Sequence, residues 1–155
     1  MNKNKICMIF DMDGTLWDAT RGVSEAYNEY LYREKGWKAY LTQQDIISIT
    51  GLEIEEIADR LFPQLDAQER LDITRRCMAY ENEYLSLHGG TLYPKVEETL
   101  AQLAQEHPLM IVTNADDGYV QAMFAAHDIG RYFIDFEMYG RTQLVKGENI
   151  RLVMQ

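Results

Sequence analysis

The residues best suited to chemistry stand close to the N-terminus. In the stretch IFDMDGTLWD, from Ile9 to Asp18, two carboxylates, Asp11 and Asp13, are one residue apart, and Gly14 and Thr15 follow at once. A short apolar run, Ile6 to Phe10, leads into them. Such a run favours burial, and charge at its end must be paired with something. The simplest partner is a hard cation with oxygen ligands, and the simplest use of the pair is chemistry on a phosphate. Gly14 permits an unusual turn and a close backbone approach at that point.

Acids placed this way need a strand to carry them and a sheet around that strand. The continuous apolar run Ile6 to Phe10 predicts a strand buried on both faces of a parallel sheet, and open α/β sheets bind ligands at the carboxyl ends of their strands. From about Thr20 the period changes. Val23, Ala26, Tyr27, Tyr30 and Leu31 keep helical spacing, with Gly36 as a stop. Thr42 with Asp45 reads as a capping box. Ile54, Ile57, Ala58 and Leu61 form another helical stripe, ended by Pro63. Asp66 with Glu69 opens a long helix to about Leu87, with Leu71, Thr74, Met78 and Leu85 on one side, and Gly89-Gly90 breaks it. Several helices therefore follow one another with no strand between them. After Gly90 come a helix carrying Val96, Leu100 and Leu103, a strand from Leu109 to Val112, and a helix through Val120 and Phe124. A strand from Phe133 to Tyr139 and a last helix, Glu148 to Met154, complete the pattern. It predicts an α/β protein with a parallel sheet and a helical domain inserted after the first strand.

With 155 residues, 46% hydrophobic and 26% charged, the chain is of ordinary globular type and long enough for one core plus an insert. A formal net charge of -10 argues against nucleic acid or an anionic membrane as partner. It does not exclude an anionic small substrate, because a bound metal reverses the sign locally. Cys7 and Cys77 are far apart and lack metal-ligand spacing, which predicts two reduced thiols. Lys3 and Lys5 precede an apolar run too short for a signal peptide, and no later run reaches membrane length, so the expected location is the cytoplasm.

Asp11-Met12-Asp13-Gly14-Thr15-Leu16 resembles the first motif of the haloacid dehalogenase-like (HAD) hydrolase superfamily. Thr113-Asn114 after the second strand resembles its second motif, and Lys146 in Lys146-Gly147-Glu148-Asn149 its third. Gly51-Leu52 and the stretch Leu92 to Leu100 are most similar to phosphoglycolate-phosphatase-like members. The resemblance implies a Rossmann-like core of residues 1–18 and 90–155 with a helical cap of residues 19–89. It implies a Mg²⁺-dependent phosphatase acting on a small phosphomonoester through an aspartyl-phosphate. Asp11 would be the nucleophile and Asp13 the acid and base. The Asp11 carboxylate and the Asp13 backbone carbonyl would bind Mg²⁺, Thr113 would hydrogen-bond a phosphoryl oxygen, and Lys146 would neutralise charge. Gly14, Thr15 and Asn114 would complete the phosphate-binding set, and Ile49 to Leu52 would face the substrate.

Taken singly, Asp-x-Asp is usually a solvated loop or helix cap, Thr-Asn a turn, and a lone lysine a surface residue. Their order after successive strands favours the motif reading. Asp116-Asp117 reads as acids favoured at a helix N-terminus rather than a second metal pair. His88, His107 and His127 read as structural or surface groups, and the tyrosines between residues 27 and 40 as cap core. Asp13 argues against dehalogenation, since dehalogenases of the superfamily lack the second acid. The absence of lysine from Ile49 to Leu52 argues against phosphonate hydrolysis, while a phosphomutase remains an alternative.

The sequence departs from the family at its end. A fourth motif should bring one or two aspartates on a further strand beyond the lysine, yet only nine residues follow Lys146 and none is aspartate. The core is therefore expected to be incomplete at the C-terminus. The favoured explanation is a fragment of a longer chain, because Ile150, Val153 and Met154 begin a stripe that stops mid-pattern. A natural truncation that self-associates through an uncovered sheet edge is a second explanation. A noncatalytic domain that binds a phosphorylated ligand or a protein is the third.

Overall fold

The computed structural model describes residues 6–155; Lys3 and Lys5 lie outside them. Strand β1 (Met8–Phe10) is shorter than the apolar run that predicts it, because Ile6 is exposed and Cys7 precedes the pairing. It pairs in parallel with β4 (Leu109–Thr113), which pairs in parallel with β5 (Phe133–Met138). The sheet order is β1-β4-β5, and β1 has no strand on its far side among the described residues.

Alternation along β4 explains its unbroken apolar sequence. Leu109 and Ile111 face the main core, whereas Met110 and Val112 pack on the other side with Ile9 and with Val153 of α8 (Lys146–Val153). All five β4 residues are buried, as a strand covered on both faces requires.

Four helices follow one another after β1: α1 (Thr20–Lys35), α2 (Gln43–Ile49), α3 (Ile54–Leu61) and α4 (Ala67–His88). Their boundaries follow local chemistry. Gly36 ends α1 in the left-handed region at φ 71°, where its N–H reaches the Tyr32 carbonyl. Thr42 and Asp45 form a reciprocal capping box at α2. The Asp66 carboxylate accepts from the Gln68 and Glu69 backbone N–H groups at α4.

An unforeseen element joins this helical block to the sheet. Strands β2 (Trp17–Asp18) and β3 (Thr91–Leu92), two residues each, pair antiparallel where the chain leaves the sheet and where it returns. Helix α5 (Val96–Glu106) then precedes β4, and α6 (Tyr119–Ala126) connects β4 to β5. A short helix, α7 (Tyr139–Thr142), lies between β5 and α8. No helix among the described residues is long and apolar enough to cross a membrane.

The stripe of α4 differs from the expected one. Ile73, Thr74, Cys77, Glu81 and Leu85 are its buried residues, while Leu71 and Met78 are only partly buried. An acid thus stands on the apolar side of the helix.

The ends of β4 and β5 are clamped together at Gly140. Its N–H donates to the Ala115 carbonyl, and a Cβ there would be driven into the Asp117 backbone nitrogen. Backbone cannot step aside as a flexible side chain can. Gly140→Ala is therefore expected to lower stability by about 1–3 kcal/mol, the usual cost of overpacking. A urea midpoint unchanged from that of the unaltered protein would refute this.

Candidate active site

At the carboxyl ends of β1 and β4 a cavity of ≈ 570 Å³ opens between the sheet and the helical block. Asp11 and Asp13 enter it from the turn after β1, and Thr113 and Asn114 from the end of β4. Lys146 reaches it from the first residue of α8. Thr50, Gly51 and Leu52, between α2 and α3, close it from the helical side. Gly14 and Thr15 are exposed in the turn beside it and are not part of its wall. Gly14 takes φ 72°, the left-handed conformation that suits glycine, and donates its N–H to the Trp17 carbonyl at 3.1 Å.

Asp11 is held at both oxygens. Oδ1 accepts from the Met12 backbone N–H at 2.8 Å, and Oδ2 meets Lys146 Nζ at 2.8 Å. A lysine in the first turn of a helix opposes the helix dipole, so this position makes sense only with an anion facing it. The loop leading into α8 is tied down by Thr142 and the buried Asn149. Thr142 Oγ1 donates to Asn149 Oδ1 at 2.7 Å, and Asn149 Nδ2 donates to the Leu144 carbonyl at 3.1 Å.

Asp13 is more deeply placed. Its Oδ1 accepts from the Tyr119 hydroxyl at 2.8 Å and from Trp17 Nε1 at 3.1 Å. Burial nevertheless dominates and pushes its carboxyl up to about 6, with Asp11 and Asp18 adding to the rise. Trp17 is locked by edge contacts to Tyr119 and His127, and His127 Nε2 lies 2.8 Å from the Gly90 carbonyl. Asp13 is thus fixed by groups from β2, α6 and the chain's return near β3.

Two amide bridges tie the helical block to the loops below it. Asn82 of α4 donates to the Asp117 carbonyl at 2.8 Å, and Asn114 donates to the Gly51 carbonyl at 3.4 Å.

Sequence reasoning missed five contributors to this site. Trp17 and Tyr119 carry no such signal in the sequence, although both donate to Asp13. Tyr27 reads as core packing, yet it also borders the cavity. Asp116 reads as an acid at a helix N-terminus. In fact α6 begins at Tyr119 after Gly118, no acid lies in its first turn, and Asp116 faces the cavity. Glu81 is the fifth, and its signal was readable as an acid spaced by four from both Cys77 and Leu85 on a buried stripe.

Glu81 is 7% exposed and borders the cavity, and it has no ion-pair partner among the described residues. Burial pushes its carboxyl up to about 8; the Tyr27 hydroxyl beside it pulls the other way, and Asp13 and Asp116 add to the rise. The same burial raises the Tyr27 and Tyr119 hydroxyls well above their usual range.

Asp11 and the Asp13 carbonyl are hard oxygen donors of the kind Mg²⁺ takes, and Mg²⁺ commonly uses only one or two carboxylates besides water and substrate phosphate. The donor set fits that ion. Among the described residues no group of three or more His, Cys, Asp or Glu side chains is arranged to enclose a metal.

A parallel sheet with chemistry-bearing residues at its strand ends and helices inserted after the first strand defines a Rossmann-like α/β architecture. Residues 8–147 match the haloacid dehalogenase-like hydrolase family, and the chain belongs to it. It is similar to the phosphoglycolate phosphatase of Photorhabdus laumondii, with 30% identity over 129 residues, covering 80% of this chain and 54% of that protein. The chain spans about half the length of the curated relatives it matches. Among solved structures it resembles a haloacid dehalogenase-like hydrolase from Bacteroides fragilis, with a TM-score of 0.76 and 20% identity, covering 97% of this chain and 72% of that one. A hydrolase of the same family from Streptococcus pneumoniae gives a TM-score of 0.74 at 23% identity, covering 100% and 70%.

The raised Glu81 carboxyl has a consequence for stability. An unfolded chain gives up this proton near the ordinary value of 4.5, whereas the folded chain holds it to about 8. Between those values rising pH favours the unfolded state. Glu81→Gln removes the difference. Thermal unfolding should show the variant gaining on the unaltered protein by several degrees between pH 5 and pH 8. Parallel curves across that range would contradict a protonated Glu81.

Proposed function

We propose that the protein is a Mg²⁺-dependent phosphatase acting on a small phosphomonoester, with the helical block serving as a cap over the site. The observation that carries this reading is the convergence of Asp11, Asp13, Thr113 and Lys146 on one cavity, with Lys146 Nζ 2.8 Å from Asp11 Oδ2. Family membership and the similarity to phosphoglycolate phosphatases support it.

In this reading an Asp11 oxygen attacks phosphorus while the phosphorus–oxygen ester bond breaks. Protonated Asp13 gives its proton to the leaving oxygen. Asp13, now a carboxylate, takes a proton from water as that water attacks the phosphoryl group, and Asp11 and inorganic phosphate are released. A carboxyl raised to about 6 is suited to both duties near neutral pH. Lys146 holds charge at the nucleophile, and the buried Thr113 hydroxyl is placed for a phosphoryl oxygen. Mg²⁺, when bound at Asp11 and the Asp13 carbonyl, supplies neutralisation of phosphoryl charge. The cap excludes water and selects the substrate.

The reading extends to a cytoplasmic protein, consistent with the free thiols Cys7 and Cys77. The rival reading, ligand binding without turnover, is favoured by the lack of a third acid grouped with Asp11 and Asp13 among the described residues.

Hydrolysis of an aryl phosphate separates the two. Activity with Mg²⁺ should fall to background in EDTA and in Asp11→Asn, and equal rates in all three would overturn the phosphatase reading. Asp13→Asn should slow the first step, read as single-turnover release of the alcohol, by about 10²–10⁴-fold with an alkyl phosphate, whose leaving oxygen needs a proton, and much less with an aryl phosphate. Equal losses on both esters would remove Asp13 from the acid role.

A further inference from the structure

The cavity is not electrically even. At one end Lys146 is engaged by Asp11. Among the described residues the rest of the wall carries Asp13, Glu81, Asp116 and Glu55 against one cation, Arg75. Acidity alone would describe only a solvated rim. Glu81 differs, because its side chain is buried, borders the cavity and has no counter-ion among the described residues.

Burying a carboxyl without a cation is costly, and an apolar residue between Cys77 and Leu85 would serve the stripe better. The groups around Glu81 are the Tyr27 hydroxyl and the acids Asp13 and Asp116. None brings a positive charge, so the side chain rests as the neutral acid, and a cation entering the cavity would draw it into the charged form.

We propose that the cavity takes a phosphomonoester whose organic part carries a positively charged amine, and that Glu81 is the side chain that recognises the amine. The inference rests on the phosphomonoester reading of the site. The phosphate lies at the Asp11 and Lys146 end, and the amine extends towards α4, where Glu81 and Asp116 face it. An ammonium has three donors for these acceptors, and hydrogen bonds between charged partners are the strong ones. An organic part ending in a carboxylate would instead meet Asp116 as a like charge and leave Glu81 in its neutral form. Cavity size agrees, since ≈ 570 Å³ suits a small metabolite. The high carboxyl of the empty protein fits the same picture, because burial without a cation favours the neutral acid and an incoming ammonium restores the charge.

Calorimetric titration of the full chain tests this, carried out in the Asp11→Asn variant so that ligands are not consumed. O-phosphoethanolamine should bind about tenfold more tightly than 2-phosphoglycolate, a difference set by one charge-assisted contact. Adding Glu81→Gln, which keeps the shape and removes the charge, should bring the two ligands within about threefold of each other. Equal or tighter binding of 2-phosphoglycolate overturns the proposal, as does a preference that survives Glu81→Gln. If the double variant does not fold, the preference in Asp11→Asn alone decides. Aryl phosphate hydrolysis by the unaltered chain with no amine preference would remove this inference and leave the phosphatase reading intact. Tight binding of O-phosphoethanolamine with no turnover of any ester would do the reverse.

Discussion

The contact between Lys146 and Asp11 sets the terms for the rest of the molecule. A cation in the first turn of α8 works against the helix dipole, and a carboxylate at the end of β1 has left an apolar strand for a cavity. Each is tolerable because the other is there. At 35% and 44% side-chain exposure the pair contributes little to folding on its own. Its demand is geometric. β1 and the start of α8 must come together, which the sheet order β1-β4-β5 and the packing of Val153 under Met110 and Val112 achieve. The Thr142–Asn149 pair then holds the approach to Lys146 in one conformation.

Deeper in the cavity, the same physical cause acts on two carboxyls with different results. Burial raises Asp13 to about 6 and Glu81 to about 8. Asp13 accepts from Tyr119 and Trp17, and both contacts favour its ionised form, whereas Glu81 has only the Tyr27 hydroxyl to do so. The same burial thus acts on both carboxyls, and the donors each one meets decide how far it is raised.

The cavity itself belongs to neither the sheet nor the helices. Asn82 reaches Asp117, Asn114 reaches Gly51, and Gly140 lets two loops approach more closely than any side chain would permit. The β2–β3 ribbon carries the chain out to the helices and back at one place, so a single chain exit and return supports the whole block. Trp17 begins that ribbon and also donates to Asp13, so one side chain serves both the ribbon and the acid.

By itself the sequence determined the features that depend on near neighbours. Unbroken apolar runs predict β1 and β4, and Gly36, Thr42 and Asp66 mark helix ends through bonds made within a few residues. The order of Asp11, Asp13, Thr113 and Lys146 after successive strands foretells their meeting, because parallel strands bring their carboxyl ends to one edge. Only the tertiary structure decided what depends on distant partners. Two-residue strands are too short to show a period, so the ribbon was invisible. Tyr119 looks like any helical aromatic until its hydroxyl is found on Asp13. Asp116 follows a strand and precedes a helix, and only the start of α6 at Tyr119 turns it towards the cavity. Glu81 could be seen as an acid on an apolar stripe. That it is buried beside the catalytic candidates, with acids for neighbours and no counter-ion among the described residues, follows from where the chain packs α4, and that packing is not written in any local stretch.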